Sequence, residues 1–364
     1  MISLIVFLYR IADGSETVRG SNDKRGLNIP LVGGYRAGEV AHMNNFPAAQ
    51  KVTAGNVTLA IYEADGDPAR HRPPVIFVHG WPEIAYSWKN QLHAVAEAGF
   101  RAIAVDLKGF GQSDAPTESS LYGAIQMVGD FCALMDSLEI ERAIFCGHDW
   151  GGALIWSMGQ LHPERVAGLI GLCTPLRARP PAPPLQIMEK RFGAKHYFVQ
   201  FQQADAPEQL FATDPDRFFH LMFRKPPPSG RWASLIPQVY DLPGRFRDGP
   251  APDKTGVIIS EADIQIYVDA YKKSGFHGGI NLYRNIDQNW RMMEGRDEKI
   301  RAPSLWVGAE LDLFLPPESA DGMEQLVPDL EKHVIADCGH WIMWEKPAEA
   351  NALMIDWLTR RFSI

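Results

Sequence analysis

Short runs of consecutive apolar residues recur along the first half of the chain and alternate with longer amphipathic stretches. The runs of strand length are Val75–Val78, Ala102–Val105, Ala143–Cys146 and Gly168–Leu172, and the segment Leu121–Leu138 between them has a helical pattern. A strand that is apolar at every position is buried on both faces, which is typical of a parallel sheet covered by helices. The pattern therefore predicts an α/β fold, with a mostly parallel sheet and helices on both faces.

The strand pattern stops after Pro175 and resumes only at Ser304–Gly308. Prolines cluster at 178–184 and again at 226–228, and the segments between and after them are amphipathic and rich in Phe and Tyr. This break favours a helical insertion into the α/β core. The predicted division is an N-terminal extension at 1–42, a core formed by 43–175 and 296–364, and a helical lid at 176–295.

The N-terminal segment begins with the apolar run Ile2–Tyr9, which is too short to cross a bilayer. A secretion signal starts with basic residues, whereas Arg10 follows the run instead of preceding it. We therefore interpret the segment as an extension before a folded domain that begins near Met43. A cytoplasmic protein is expected, and export is the alternative if the run acts as a signal.

The composition narrows the class of protein. The chain has 364 residues, 46% of them hydrophobic, and a formal net charge of -8, which together fit a globular protein and argue against a nucleic-acid-binding face. The 4 cysteines are scattered without a C-x-x-C pair, which disfavours a zinc site or a disulfide framework. We expect neither a metal nor a cofactor.

The segment Cys146–Leu154 reads C-G-H-D-W-G-G-A-L and follows a predicted strand. Gly147 and Gly151 give it the frame of a nucleophile elbow, a sharp strand-to-helix turn that usually presents a serine. Here the central residue is Asp149. A lone aspartate in this position could equally cap a helix, so the assignment as a nucleophile depends on partners elsewhere in the chain.

Those partners occur in the order that the elbow fold requires. The loop H-G-W-P-E follows the first strong strand, where such a loop donates a backbone N–H to the oxyanion hole together with the residue after the nucleophile. The donors would be Trp81 and Trp150; the isomer of the bond before Pro82 stays open. Asp312 follows a late strand and His340 precedes the last helix, which completes a nucleophile–acid–histidine triad.

A carboxylate nucleophile favours particular chemistry. It is already ionised near neutral pH, so it can attack a saturated carbon directly and form an alkyl ester, which a histidine then hydrolyses by activating water. Haloalkanes and epoxides both fit this scheme. A halide leaves as an anion, whereas the oxygen of an epoxide needs an acid such as a tyrosine hydroxyl.

The four motifs H-G-W-P, G-H-D-W-G-G, A-E-L-D and G-H-W resemble those of the α/β-hydrolase epoxide hydrolases of the soluble and microbial type, from about residue 43 to the end. The resemblance implies an α/β-hydrolase fold, conversion of a small-molecule epoxide and water to a vicinal diol, and a role in detoxification. Two lid segments around Tyr197 and Tyr283 also resemble the family, which implies that these hydroxyls assist ring opening. Tyr240, Tyr267 and Tyr271 are the alternatives.

The substrate pocket is expected to be largely apolar, with Trp81, Trp150, Phe110 and Phe198 in its wall. Haloalkane dehalogenation remains the alternative activity, although dehalogenases commonly carry an asparagine at the position of Trp81. A catalytically idle scaffold that binds a ligand or a partner is a third hypothesis. We expect no membrane span, and a homodimer is left open.

Overall fold

The computed structural model describes residues 46–226 and 239–363. The predicted extension at 1–42, with its apolar run, lies outside the described residues, as does the predicted start of the core at Met43. In the described part of the chain no helix combines the length and the apolar character needed to cross a membrane.

An eight-stranded sheet forms the centre of the core, in the spatial order β1-β2-β4-β3-β5-β6-β7-β8. Its strands are β1 (Gln50–Ala54), β2 (Val57–Ala64), β3 (Val75–Val78), β4 (Ala102–Asp106), β5 (Ala143–His148), β6 (Val166–Leu172), β7 (Ser304–Ala309) and β8 (Leu330–Ile335). Strand β2 pairs antiparallel with β1 and β4, and all other neighbours run parallel. The predicted mostly parallel sheet is therefore confirmed.

Burial on both faces explains why the central strands are apolar throughout. In β3, Ile76 and Val78 enter one hydrophobic cluster, while Val75 and Phe77 enter the cluster on the opposite face. Successive side chains of a strand point to opposite faces, so each position needs an apolar residue. Strand β8 lies at the edge with two exposed residues, and its sequence L-E-K-H-V-I has no apolar run to predict it.

Helices cover both faces of the sheet, as predicted. Those before the lid are α1 (Lys89–Glu97), α2 (Ala124–Ser137) and α3 (Trp150–Leu161). The lid contains α4 (Pro184–Phe192), α5 (Tyr197–Gln200), α6 (Ala206–Ala212), α7 (Pro215–Met222), α8 (Leu242–Asp248), α9 (Glu261–Ser274), α10 (His277–Arg284) and α11 (Ile286–Met292). The chain then returns to β7 and β8 and ends with α12 (Ile342–Glu345) and α13 (Pro347–Arg361).

The two hydrophobic clusters separate the helices by face. Leu92 of α1 and Trp357 of α13 are buried against one face of the sheet. Phe131 of α2 and Ile155 of α3 belong to the other cluster, which continues without interruption into the aromatic side chains of the lid. The lid therefore shares a hydrophobic core with the sheet. Because such a core is closely packed, it fixes the positions of the lid side chains relative to the sheet.

Candidate active site

Asp149 lies on the sharp turn between β5 and α3, with a φ of 50° and a ψ of -119°. A positive φ strains a residue that has a Cβ atom, at a cost of about 1–3 kcal/mol. The flanking glycines make the turn sterically feasible. A Cβ at Gly147 would lie 2.5 Å from the Gly151 oxygen, and a Cβ at Gly151 would lie 2.0 Å from the Val78 oxygen. The glycines at 147 and 151 thus belong to a strained turn that presents the Asp149 carboxylate.

Two backbone N–H groups point at that carboxylate. The Trp81 N–H donates to Oδ1 of Asp149 at 2.9 Å, and the Trp150 N–H also hydrogen-bonds the Asp149 carboxyl group. The peptide bond between Trp81 and Pro82 is cis, a point that the sequence left open. The pair of donors lies where negative charge would develop on the carboxyl oxygen during hydrolysis of an ester of Asp149.

His340 lies between two carboxylates. Its Nδ1 donates to Oδ2 of Asp312 at 2.8 Å, while its Nε2 lies 3.9 Å from Oδ2 of Asp149. The other oxygen of Asp312 accepts the N–H groups of Phe314 and Leu315, which fixes the carboxylate. Because Asp312 holds the imidazole by Nδ1, Nε2 faces the nucleophile and is free to exchange a proton with a molecule placed there.

Burial and charge set the pKa values of this group. Burial alone would lower the pKa of His340, but the carboxylates of Asp312, Asp149 and Glu83 outweigh it and raise the pKa to about 9. Burial raises the pKa of Asp149, partly opposed by His340 and by the Trp81 and Trp150 N–H groups. In the resting site, His340 therefore carries a proton at neutral pH and stabilises the Asp149 carboxylate.

Two lid tyrosines line the same cavity as Asp149. The rings of Tyr197 and Tyr283 lie 5.6 Å apart, and their hydroxyl groups are hydrogen-bonded to each other. Burial, and then the Asp149 charge, raise the pKa of Tyr197 far above its ordinary value; burial, Tyr197 and Asp149 do the same for Tyr283. Both phenols are therefore neutral at physiological pH and can donate a hydrogen bond to a substrate oxygen.

The alternative tyrosines do not line this cavity. The Tyr267 hydroxyl is 2.6 Å from Ser87 Oγ, and the Tyr271 hydroxyl donates to the Glu83 carbonyl at 3.4 Å. Tyr240 packs beside the lid aromatics, with a buried hydroxyl that has no hydrogen-bond partner among the described residues. Tyr197 and Tyr283 are the tyrosines that the described structure brings to the nucleophile.

Most of the wall of this cavity is apolar. Trp81 and Phe198 are among the described residues that line it, whereas Trp150 is not and packs edge-on against the Tyr283 ring at 5.0 Å. Phe110 is likewise not among the described residues of the wall. Its ring packs against His79 at 4.9 Å and Tyr271 at 6.3 Å, and its expected contact with substrate stays a prediction.

A buried pair beneath the triad was not singled out from the sequence. Nδ1 of His148 lies 2.7 Å from Oε2 of Glu83, and Nε2 of His148 lies 2.8 Å from the His340 carbonyl oxygen. The same Glu83 oxygen accepts the Gly80 N–H at 2.7 Å. Glu83 and His148 thus connect the loop after β3, the turn at Asp149 and the loop that carries His340. Both residues stand inside the quoted motifs, but only the tertiary structure shows that they meet.

One cluster at the site has donor atoms close enough together for a metal ion, formed by His148, Cys173 and His340. Three of its four ring nitrogens are already occupied in hydrogen bonds, since both nitrogens of His148 contact Glu83 and a carbonyl group and Nδ1 of His340 contacts Asp312. We therefore interpret the cluster as a hydrogen-bond network.

The chain is similar in sequence and in fold to known proteins. A sequence family described as alpha/beta hydrolase fold matches residues 73–347. The pig protein named bifunctional epoxide hydrolase 2 is 39% identical over 288 residues, which cover 79% of this chain and 51% of the relative. The chain therefore spans about half the length of this relative.

A second relative is matched along nearly its whole length. Epoxide hydrolase A of Mycobacterium tuberculosis is 32% identical over 317 residues, which cover 86% of this chain and 98% of the relative. Among solved structures, epoxide hydrolase A from Mycobacterium thermoresistibile superposes with a TM-score of 0.77 at 30% identity, covering 86% of this chain and 98% of that one.

Proposed function

Because this chain belongs to the epoxide hydrolases of the α/β-hydrolase-fold family, we propose that it converts an epoxide and water to a vicinal diol through a covalent ester on Asp149. The observation that carries this proposal is the position of two tyrosine hydroxyls in the same cavity as a carboxylate nucleophile and a histidine–aspartate pair. Such a set supplies both the nucleophile and the acid that ring opening needs.

The first step is ring opening. An oxygen of the Asp149 carboxylate attacks one epoxide carbon, and the bond between that carbon and the ring oxygen breaks. The electron pair of the broken bond goes to the ring oxygen, which takes a proton from Tyr197 or Tyr283. The product is a hydroxyalkyl ester of Asp149 and a tyrosinate, which the second tyrosine stabilises by its hydrogen bond.

Ester formation changes the protonation of His340. The negative charge of Asp149 is one of the three charges that raise the pKa of His340, and alkylation removes it. The pKa of His340 therefore falls, and its proton neutralises the tyrosinate. His340 thus becomes a neutral base only after the ester has formed. Before ring opening it keeps its proton, and its positive charge stabilises the Asp149 carboxylate.

The second step is hydrolysis of the ester. Nε2 of His340 takes a proton from water, whose oxygen attacks the carbonyl carbon of the Asp149 ester. The Trp81 and Trp150 N–H groups bind the resulting oxyanion, with each donor contributing about 3–4 kcal/mol. The bond between this carbon and the alkoxy oxygen then breaks, and the diol leaves with the remaining hydrogen of the water. Asp149 regains its charge and His340 keeps its proton, as in the resting site.

Dehalogenation shares the nucleophile but needs a site for a halide. The Trp81 indole lies against the lid helix α10, where a Cβ on Gly279 would lie 2.3 Å from Nε1. Gly279 therefore packs directly against the indole nitrogen, whereas Tyr197 and Tyr283 line the same cavity as Asp149. The arrangement favours a leaving oxygen over a leaving halide.

The test is to measure diol formation from styrene oxide and bromide release from 1-bromoalkanes with the purified full chain. We expect diol formation to dominate and the Tyr197→Phe/Tyr283→Phe double variant to lose at least about 100-fold in kcat. Tyr240→Phe is the matched control, because among residues 46–226 and 239–363 its hydroxyl has no hydrogen-bond partner and Tyr240 is not part of the cavity wall. Full diol formation by the double variant would place the acid elsewhere, and bromide release that rivals diol formation would favour the dehalogenase.

The same proposal includes the organisation of the chain. We take 43–175 with 296–364 as the catalytic core, 176–295 as the lid, and 1–42 as an extension. A cytoplasmic location and a homodimer remain predictions, to be checked by fractionation and by light scattering of the purified protein.

A further inference from the structure

A glutamate side chain lies against the loop that carries His340, and the steps of the proposed reaction do not involve it. Glu345 ends the single-turn helix α12, and its side chain extends back toward the start of this helix. Its Oε2 accepts the N–H of Gly339 at 3.0 Å, and its Oε1 accepts the N–H of Trp341 at 3.2 Å. The two oxygens of one carboxyl group therefore hold the backbone on either side of His340.

Gly339 allows this close approach. A Cβ at this position would lie 2.8 Å from Oε1 of Glu345 and 2.7 Å from Cδ of Pro226, and both distances are too short for a real Cβ contact. Glycine is the residue that leaves this space free. The glycine of the G-H-W motif is therefore explained by the tight packing of the backbone against Glu345.

The contacts of Glu345 complete the positioning of His340. Asp312 binds Nδ1 of the ring at 2.8 Å, and Nε2 of His148 lies 2.8 Å from the His340 carbonyl oxygen. Asp312 thus sets the orientation of the ring, whereas His148 and Glu345 set the place of the backbone that carries it. Because Nε2 of His340 lies 3.9 Å from Oδ2 of Asp149, a small shift of that backbone changes the distance from the base to the ester.

The pair of contacts requires two acceptor atoms. Each N–H bonds a separate oxygen of Glu345, which is the pattern that a carboxylate offers. An amide of the same size cannot reproduce it, because one end of an amide is itself a donor. Burial raises the pKa of Glu345, whereas the Gly339 and Trp341 N–H groups and the charge of His340 oppose this rise and favour the carboxylate.

We infer that Glu345 is a positioning residue for the hydrolytic step, in which it holds Nε2 of His340 at the place where water attacks the Asp149 ester. The inference rests on the proposed epoxide hydrolysis. Glu345 is not among the described residues of the cavity wall, so it acts through His340. Ring opening uses the Asp149 carboxylate and the two phenols and should depend little on Glu345. A carboxyl group that only capped a helix would affect stability, but not the balance between the two steps.

The experiment separates the two steps in single turnovers of styrene oxide by the full-length protein. Stopped-flow tryptophan fluorescence follows ring opening, since Trp81 and Trp150 both contact the nucleophile, and intact mass spectrometry follows the ester. Glu345→Gln keeps the size of the side chain but replaces one acceptor by a donor. Glu349→Gln is the matched control, because it removes an exposed carboxyl group of the next helix, α13, that lies 3.7 Å from Nζ of Lys346.

Glu345→Gln should slow ester hydrolysis by about 10-fold to 100-fold, as expected for a displaced base, and should change ring opening by less than about threefold. The ester on Asp149 should therefore make up a larger fraction of the enzyme during turnover than in the wild type. Glu349→Gln should match the wild type in both steps. In a His340→Gln background no imidazole remains to be positioned, so the addition of Glu345→Gln should leave the slow decay of the ester unchanged.

Hydrolysis at the wild-type rate in folded Glu345→Gln would overturn this inference and leave the proposed function intact. A parallel slowing of both steps, or a further slowing of ester decay in the double variant, would also overturn it, because either result would assign Glu345 a structural role. If Glu345→Gln does not fold, Glu345→Asp replaces it, with the charge on a shorter side chain. This variant should slow hydrolysis selectively by at least about threefold, and an unchanged rate would count against the inference. No ester and no diol from any epoxide would refute the proposed function itself.

Discussion

Replacement of His340 by glutamine should stop the reaction at the covalent ester on Asp149. Glutamine removes the imidazole base whose Nε2 lies 3.9 Å from Oδ2 of Asp149, but it leaves the nucleophile and the two lid tyrosines in place. Ring opening uses the carboxylate and the phenols, whereas only hydrolysis uses the base. The variant should therefore form the ester and fail to release the diol.

The size of the effect follows from the role of the base. Loss of a positioned general base slows the step that needs it by about 10²–10⁴-fold, which corresponds to about 3–5 kcal/mol in activation free energy. Ring opening should slow far less. His340 lowers the pKa of Asp149, so its removal raises that pKa further, and the assay is best run at mildly alkaline pH. Under those conditions the ester should accumulate to one adduct per chain.

Intact mass spectrometry after addition of styrene oxide should show the mass of the substrate added to His340→Gln, and peptide mapping should locate it on Asp149. His333→Gln is the matched control, since His333 lies on β8 with Glu331 as its partner and should turn over normally without an adduct. A second change, Asp149→Asn, should abolish the adduct. An adduct on a peptide without Asp149, or normal turnover by His340→Gln, would refute the reasoning.

Three further predictions follow from the same contacts. Asp312→Asn should lower kcat by about 10²–10⁴-fold, because an amide can donate to Nδ1 of His340 and so select the wrong tautomer; steady-state diol formation measures this, and an unchanged kcat would contradict it. Glu83→Gln should lower the free energy of unfolding by about 3–5 kcal/mol, because it breaks a fully buried pair with His148. The control Glu331→Gln disrupts a partly exposed pair and should lower the same free energy by only about 0–1 kcal/mol. Urea denaturation of both variants compares the two losses. The rate of ester formation should fall as pH decreases through the raised pKa of Asp149, because only the carboxylate attacks, and stopped-flow measurements should show the fall beginning at higher pH than for an exposed aspartate.

Much of the fold could be predicted from the sequence because its signals are local. The apolar runs of β3 to β7 report burial on both faces, and each lies within a residue or two of the observed strand. Gly147 and Gly151 report a turn that excludes any Cβ atom, since the nearest backbone atoms would lie 2.0–2.5 Å away. The hairpin of β1 and β2 and the edge strand β8 were not predicted. For β8, partial exposure leaves no run of apolar residues to recognise.

The candidate triad was also accessible from the sequence, because each member follows a strand or precedes a helix in a fixed order. The distances between its members were not accessible from the sequence. Which tyrosines face Asp149 depends on how the lid helices cross above the sheet, and five tyrosines were open until Tyr197 and Tyr283 were found in the cavity wall. The direction of the Phe110 ring, which packs against His79, likewise depends on the tertiary structure.

The sequence by itself determined the parallel strands β3 to β7, the strained turn and the chemical identity of the nucleophile, since these depend on residue type, local periodicity and backbone sterics. Only the tertiary structure decided the pairing of Glu83 with His148 and the choice of the two phenols. Each of these joins residues far apart in the chain. Their electrostatic effects depend on distance and on the exclusion of water, and folding alone sets both quantities.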